Sequence, residues 1–186
     1  DQGIKNFFVS IDGPCSKSDI NNQKKIYKFC KSFESLFDIK INRLKKNYGC
    51  RLGPMNGINW FFSHNKYGLI IEDDVVISKT CIESISVLLK KMEKNDNYIS
   101  ISSFNEYTNK NFESIYSLPV WRSWGWAGWA HKWEKYLIFR KKIEKLSIWG
   151  IYNLLPLDLR SIETAKLIKA CQLNLLDAWD YEFNFS

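Results

Sequence analysis

The sequence predicts an α/β fold: a mainly parallel sheet with helices on both faces. Three observations carry the expectation. Short apolar runs alternate with helix-period segments through the first part of the chain. The run Leu69-Ile70-Ile71 is apolar at successive positions, as a strand covered on both faces needs. That run ends in three carboxylates, Glu72, Asp73 and Asp74, and ligands in open α/β sheets bind outside the carboxyl ends of strands.

The elements follow in order. Ile4 to Ile11 reads as a strand centred on Phe7, Phe8 and Val9, closed by the turn Asp12-Gly13-Pro14. In isolation Asp12 is best explained as a turn carboxylate. Ser18 or Asp19 opens a helix to about Phe37. Its Ile26, Phe29, Cys30, Phe33 and Phe37 recur at helical spacing and are expected to face the sheet, with solvated lysines between them. Asp38 to Leu44 alternates as a strand. Lys45 to Pro54 reads as a basic, glycine-bearing loop whose backbone and Arg51 could approach a phosphate; a solvated connection explains it equally well. Met55 to His64 reads as a helix with Ile58, Phe61 and Phe62 inward.

After the acidic strand, Ser78 or Thr80 begins a helix to about Lys94 with a core stripe of Ile82, Ile85, Leu88, Leu89 and Met92. Asn95-Asp96-Asn97 turns the chain into a strand from Tyr98 to Ser103. Asn105 to Glu113 reads as a polar loop and Ser114 to Leu118 as a short strand. Helices are expected from Lys132 to Ile138 and from Ser161 to Leu175.

Two stretches go beyond what folding needs. Adjacent carboxylates repel one another, and in a half-buried position one must be neutralised or bind a cation. Hard oxygen donors suit Mg²⁺ or Mn²⁺, which keep open positions for substrate phosphates. The plain alternative is an acidic loop facing solvent. The second stretch, Val120 to Trp133, holds five tryptophans. Trp129 and Trp133, four apart, suit a core. Trp124 and Trp126 sit beside small residues, where a flat indole can pack on a sugar ring.

The net charge of +7 favours an anionic partner: nucleotide phosphates, nucleic acid or an anionic membrane surface. Five cysteines, widely spaced and without a CxxC pair, argue against a zinc site and fit reduced thiols in a cytoplasmic protein. No apolar run is long enough to span a bilayer.

Four motifs in this order suggest a family: Asp12-Gly13 after a strand, Ile70 to Asp74, Trp124-Gly-Trp-Ala-x-Trp129, and Trp179-Asp180. The pattern resembles the GT-A-fold glycosyltransferases, in particular bacterial members with Glu-Asp-Asp in place of Asp-x-Asp. It is also similar to the Golgi enzyme type of N-acetylglucosaminyltransferase I. The resemblance implies a three-layer, Rossmann-like GT-A fold over residues 1–186 as one domain, with a nucleotide-sugar half to about residue 104 and an acceptor half beyond it. It implies that Asp74 binds Mn²⁺ or Mg²⁺, that Asp73 lies near the ribose, and that Glu72 lies near the donor sugar. Asp12 with Gly13 would recognise the base, and Asn47 and Arg51 would sit on a nucleotide-side loop. Trp179 would stand beside the donor sugar and Asp180 would be the catalytic base, with Asp177 as competitor.

Such an enzyme transfers a sugar from a nucleotide-diphosphate donor to a carbohydrate or glycoconjugate hydroxyl, with inversion. The family has a strand and helix before the Asp-Gly strand and a segment beyond Trp-Asp. The chain is therefore expected to be a fragment or reduced form, with a sheet edge prone to self-association. The implied location is cytoplasmic, with peripheral association at the inner face of a membrane. A non-catalytic nucleotide-sugar-binding fragment is the alternative. A nucleic-acid-binding module is less favoured, because no such motif is present and bare acids repel phosphates, so no nucleic acid is expected as a partner.

Overall fold

The computed structural model describes residues 4, 6–104, 117 and 122–184. The expected loop and strand between Asn105 and Leu118 lie outside the described residues, Ser117 excepted. In chain order the elements are β1 (Asn6–Ile11), α1 (Lys17–Lys31), β2 (Asp38–Arg43), α2 (Gly49–Phe62), β3 (Tyr67–Ile70) and α3 (Lys79–Met92). There follow β4 (Ser100–Ser102), β5 (Trp126–Trp129), α4 (Ala130–Glu144), α5 (Ile148–Leu154), α6 (Ile162–Gln172) and α7 (Asp180–Asn184). The protein is α/β. It divides into two compact units, Asp1–Phe61 and Phe62–Ser186.

In the first unit β1 and β2 pair in parallel from Asn6↔Asp38 to Ile11↔Arg43, with α1 as the crossover. Ser16 caps α1, and its capping box with Asp19 satisfies donors at both ends of the first turn. The inward residue of α1 is a glutamine. Gln23 is 8% exposed, and its amide donates to the carbonyls of Asp12 (2.9 Å) and Leu44 (3.1 Å), the ends of the two strands. Arg43 donates back to the Gln23 amide oxygen. This rotates the helix away from the expected orientation: Ile26 and Phe29, expected against the sheet, are 45% and 66% exposed. α2 begins at Gly49 rather than Met55, so the expected loop from Lys45 to Pro54 is helical over its second half and includes Pro54. Gly57 lets α2 close on β1; a Cβ there would lie 2.9 Å from Ser10 Cβ. Phe8 packs on Trp60 and Phe61.

In the second unit β5 pairs antiparallel with both β3 and β4, giving the order β3-β5-β4. The expectation of a mainly parallel sheet is therefore corrected. Among the described residues only β1 and β2 pair in parallel, and β5, not the acidic strand β3, is central in its sheet. The reason lies in Trp126-Ala-Gly-Trp129, whose spacing also suits a ligand platform or helix face. It forms a strand buried on both sides, and all four of its residues are buried. Ala127 and Trp129 face Ile85 and Leu89 of α3. Trp126 packs against Phe62, Trp133, Trp179 and Phe183.

Ser78 caps α3, and its buried face packs on Leu69 and Ile101 of the sheet and on Ile77 just before the helix. The end of α3 is closed by Lys132 of α4. Its ammonium donates to the carbonyls of Met92 (3.2 Å), Asn95 (2.8 Å) and Tyr98 (2.6 Å), and lies over the Trp129 ring. Burial pushes this ammonium below the usual lysine pKa. A separate core of Ile143, Ile151, Leu155, Ala165 and Ile168 holds α4, α5 and α6 together. Glu182 on α7 is fully buried and receives the Arg140 guanidinium of α4 at 3.1 Å. Among the described residues no helix is long and apolar enough to cross a membrane.

Candidate functional site

The first unit brings Asp12, Gly13 and Asn47 together. The Asp12 carboxylate accepts from the backbone N–H groups of Gly13 (2.8 Å), Tyr48 (3.0 and 3.2 Å) and Gly49 (3.1 Å). Each oxygen makes two of these contacts, so its acceptor capacity is filled by backbone. The arrangement also places a negative charge at the N-terminus of α2, where it stabilises the helix. The Asn47 side chain reinforces it: the amide donates to the Gly13 carbonyl at 2.8 Å, and its oxygen accepts from Gly49 N–H at 3.0 Å. Gly13 is required by close approach, because a Cβ would come within 2.1 Å of the Lys46 backbone. Gly49 has φ of 72°, which favours glycine. Arg51 is not on an open loop; it is 4% exposed in the first turn of α2.

In the second unit the acids after β3 lie outside the strand. Asp73 and Asp74 form an exposed turn, and Val75 N–H bonds the Glu72 carbonyl. Neither Asp73 nor Asp74 has a hydrogen bond or ion pair among the described residues. Glu72 is half-buried, and the Trp179 indole N–H donates to its Oε1 at 3.1 Å. Burial raises the Glu72 pKa above the ordinary carboxylate value; the Trp179 N–H opposes this, and the charges of Asp180, Asp74 and Asp73 add to it. The fold thus brings the acidic turn and the Trp179-Asp180 pair to one place, though 107 residues separate Glu72 from Trp179. Asp180 begins α7 and accepts from the Tyr181 N–H at 3.1 Å. Asp177 is exposed between α6 and α7.

The tryptophans separate into two kinds. Trp126 (1% exposed), Trp179 (3%), Trp129 (1%) and Trp133 (4%) are core, so Trp126 backs the site rather than lining it. Trp124 is 48% exposed and meets Phe104 edge to face at 4.6 Å. Its neighbour Gly125, at φ of 71°, lies against Val75 and Ile77 just after the acids; a Cβ there would sit 3.5 Å from Val75 Cγ1. Sequence reasoning missed Ser103 and Phe104. The Ser103 hydroxyl donates to the Gly125 carbonyl at 2.6 Å and so fixes the turn that presents Trp124. Ser103 was read only as the end of a strand, and Phe104 follows it.

Among the described residues no group of three or more His, Cys, Asp or Glu is arranged to hold a metal. A Mg²⁺ or Mn²⁺ bound through one or two carboxylates, with waters and phosphates completing its shell, does not need such a cage. Asp74, exposed and unpaired among the described residues, fits that donor set, with Asp73 beside it. No family model, curated protein or solved structure matches the chain.

Proposed function

We propose that the chain is the core of a metal-dependent glycosyltransferase acting on a nucleotide-diphosphate sugar. The observation that supports this reading is the hydrogen bond from Trp179 to Glu72, with Asp180 close enough to raise the Glu72 pKa. Pairs of carboxylates with different environments are how a site separates a base from a charge-holding group. In this reading Asp74 holds the divalent ion and Asp73 assists. When bound, that ion offsets the charge growing on the departing diphosphate.

The remaining work falls to the chain's own residues. Glu72, kept in place by Trp179, accepts a hydrogen bond from a donor-sugar hydroxyl. Trp124, 48% exposed, offers an indole face for a sugar ring. Asp180 takes the proton from the acceptor hydroxyl as it attacks the anomeric carbon from the side opposite the diphosphate, which gives inversion. Asp12 and Asn47 bind the backbone at the start of α2, Gly13 admits its close approach, and Arg51 is buried in its first turn, so these four shape that helix end within the first unit. The acceptor is a carbohydrate or glycoconjugate.

The test is thermal denaturation with UDP-, GDP- and CMP-linked sugars, each with and without Mn²⁺, and with single-stranded DNA. A rise in melting temperature that needs both Mn²⁺ and one sugar nucleotide is the expected result. A rise with DNA alone would point to a nucleic-acid module, and binding without any transfer to a sugar acceptor would leave a non-catalytic nucleotide-sugar module.

A further inference from the structure

The net charge is unevenly spread. Residues 1–61 hold eleven Lys and Arg against five Asp and Glu, so +6 of the total +7 lies in the first unit. On α1 that charge meets apolar surface. Gln23 takes the inward position, and Ile26, Phe29 and, beyond the helix, Leu36 are left 45%, 66% and 69% exposed. Ile26 and Phe29 are one turn apart on a helix, and Phe29 meets Phe33 edge to face at 5.1 Å. Lys25 stands one turn before Phe29, and Lys24 and Lys28 form the next row. All three lysines are exposed, and none pairs with a carboxylate among the described residues.

We propose that this face of α1 docks on an anionic lipid bilayer surface. The apolar ridge enters the headgroup boundary, while the lysine stems lie along it and their ammonium groups reach the lipid phosphates. Charge complementarity selects this occupant: unpaired lysines beside exposed aromatic and leucine side chains match an interface that is anionic outside and apolar beneath. The contact is peripheral, and it stands independently of any sugar transfer.

Co-sedimentation with vesicles tests it, in the absence of Mn²⁺ and sugar nucleotides. Binding is expected to phosphatidylcholine vesicles containing phosphatidylglycerol, to be absent for phosphatidylcholine alone, and to fall as salt rises. Phe29→Ser should weaken it about tenfold, the order expected for withdrawing one aromatic ring from an apolar boundary. Lys25→Glu combined with Lys28→Glu should abolish it, while Lys79→Glu, on α3, should not change it. Phe29 is mostly exposed, so its loss leaves the fold intact, and an unchanged melting temperature verifies this. Absence of binding to the anionic vesicles, or equal binding by Phe29→Ser, overturns the proposal. So does a lipid-free dimer that Phe29→Ser converts to monomer by light scattering, because the ridge would then be covered by a second copy.

Discussion

Asp12 follows β1 and Glu72 to Asp74 follow β3, yet the two strand ends treat their carboxylates differently. The Asp12 carboxylate is surrounded by three backbone N–H groups at 2.8 to 3.2 Å. At β3, among the described residues, one indole N–H serves Glu72, and Asp73 and Asp74 have no partner. A carboxylate satisfied by backbone is part of the architecture. Acids left under-satisfied and crowded remain available to a cation or a reacting group. The difference teaches that an acid at a strand end is not by itself a site; what its oxygens already accept decides.

The largest expected effect is on chemistry. Asp180→Asn should cut sugar transfer by about 10²- to 10⁴-fold while Mn²⁺-dependent donor binding survives, because an amide cannot take the proton. Near-normal turnover in Asp180→Asn together with loss in Asp177→Asn would move the base to Asp177. Next, Asp74→Ala should abolish Mn²⁺-dependent nucleotide binding, with Asp73→Ala weaker in effect. Both should stay within about 0.5 kcal/mol of the parent in urea denaturation, as exposed side chains without partners do. Equal binding by Asp74→Ala at saturating Mn²⁺ would remove the functional half of the comparison.

The architectural half is tested by Asp12→Ala, which should lower stability by about 1–3 kcal/mol by leaving helix N–H groups without acceptors. An unchanged urea midpoint would mean that water replaces the carboxylate freely.

The smallest effect is the pH dependence at Glu72, measured in EDTA. Its folded pKa lies above the unfolded value of 4.5, so between the two the native state binds the extra proton. Stability from this group is therefore highest below the unfolded pKa and declines as pH rises through the folded one. Glu72→Gln keeps an oxygen for the Trp179 N–H and removes the titration. Its stability relative to the parent should rise between acid and neutral pH; a constant difference would show that Glu72 ionises without cost.

The alternation of β1, α1, β2 and α3 was legible, and at α3 apolar period and cap agree, as Ser78 and the stripe of Ile85 and Leu89 illustrate. By contrast, α1 is capped by Ser16, not Ser18 or Asp19, and ends at Lys31 rather than Phe37. The orientation of α1 was not legible. A glutamine outcompetes Phe29 for the inward position only because two strand-end carbonyls, far apart in sequence, converge on it. β5 was missed for a related reason. Trp-Ala-Gly-Trp has no polar alternation when both faces are buried, so its period is silent. α5 has only seven residues and no strong period. At the site, the acidic turn and the Trp179-Asp180 pair could be named from residue types. Their juxtaposition, the burial of Trp126 and Arg51, and the filled capacity of Asp12 depend on tertiary contacts that no local pattern encodes.

Lys132 binds three carbonyls spaced three residues apart, from the last turn of α3 to the approach to β4. One ammonium thus ties all three carbonyls and the Trp129 ring to the same point, so loosening it frees them together. The amides between Met92 and Ile101 should consequently open in one cooperative step in hydrogen exchange, instead of fraying progressively from the helix end. Lys132→Met should split that step, letting the 93–98 turn exchange at the rate of an ordinary loop while α3 and β5 keep their own protection.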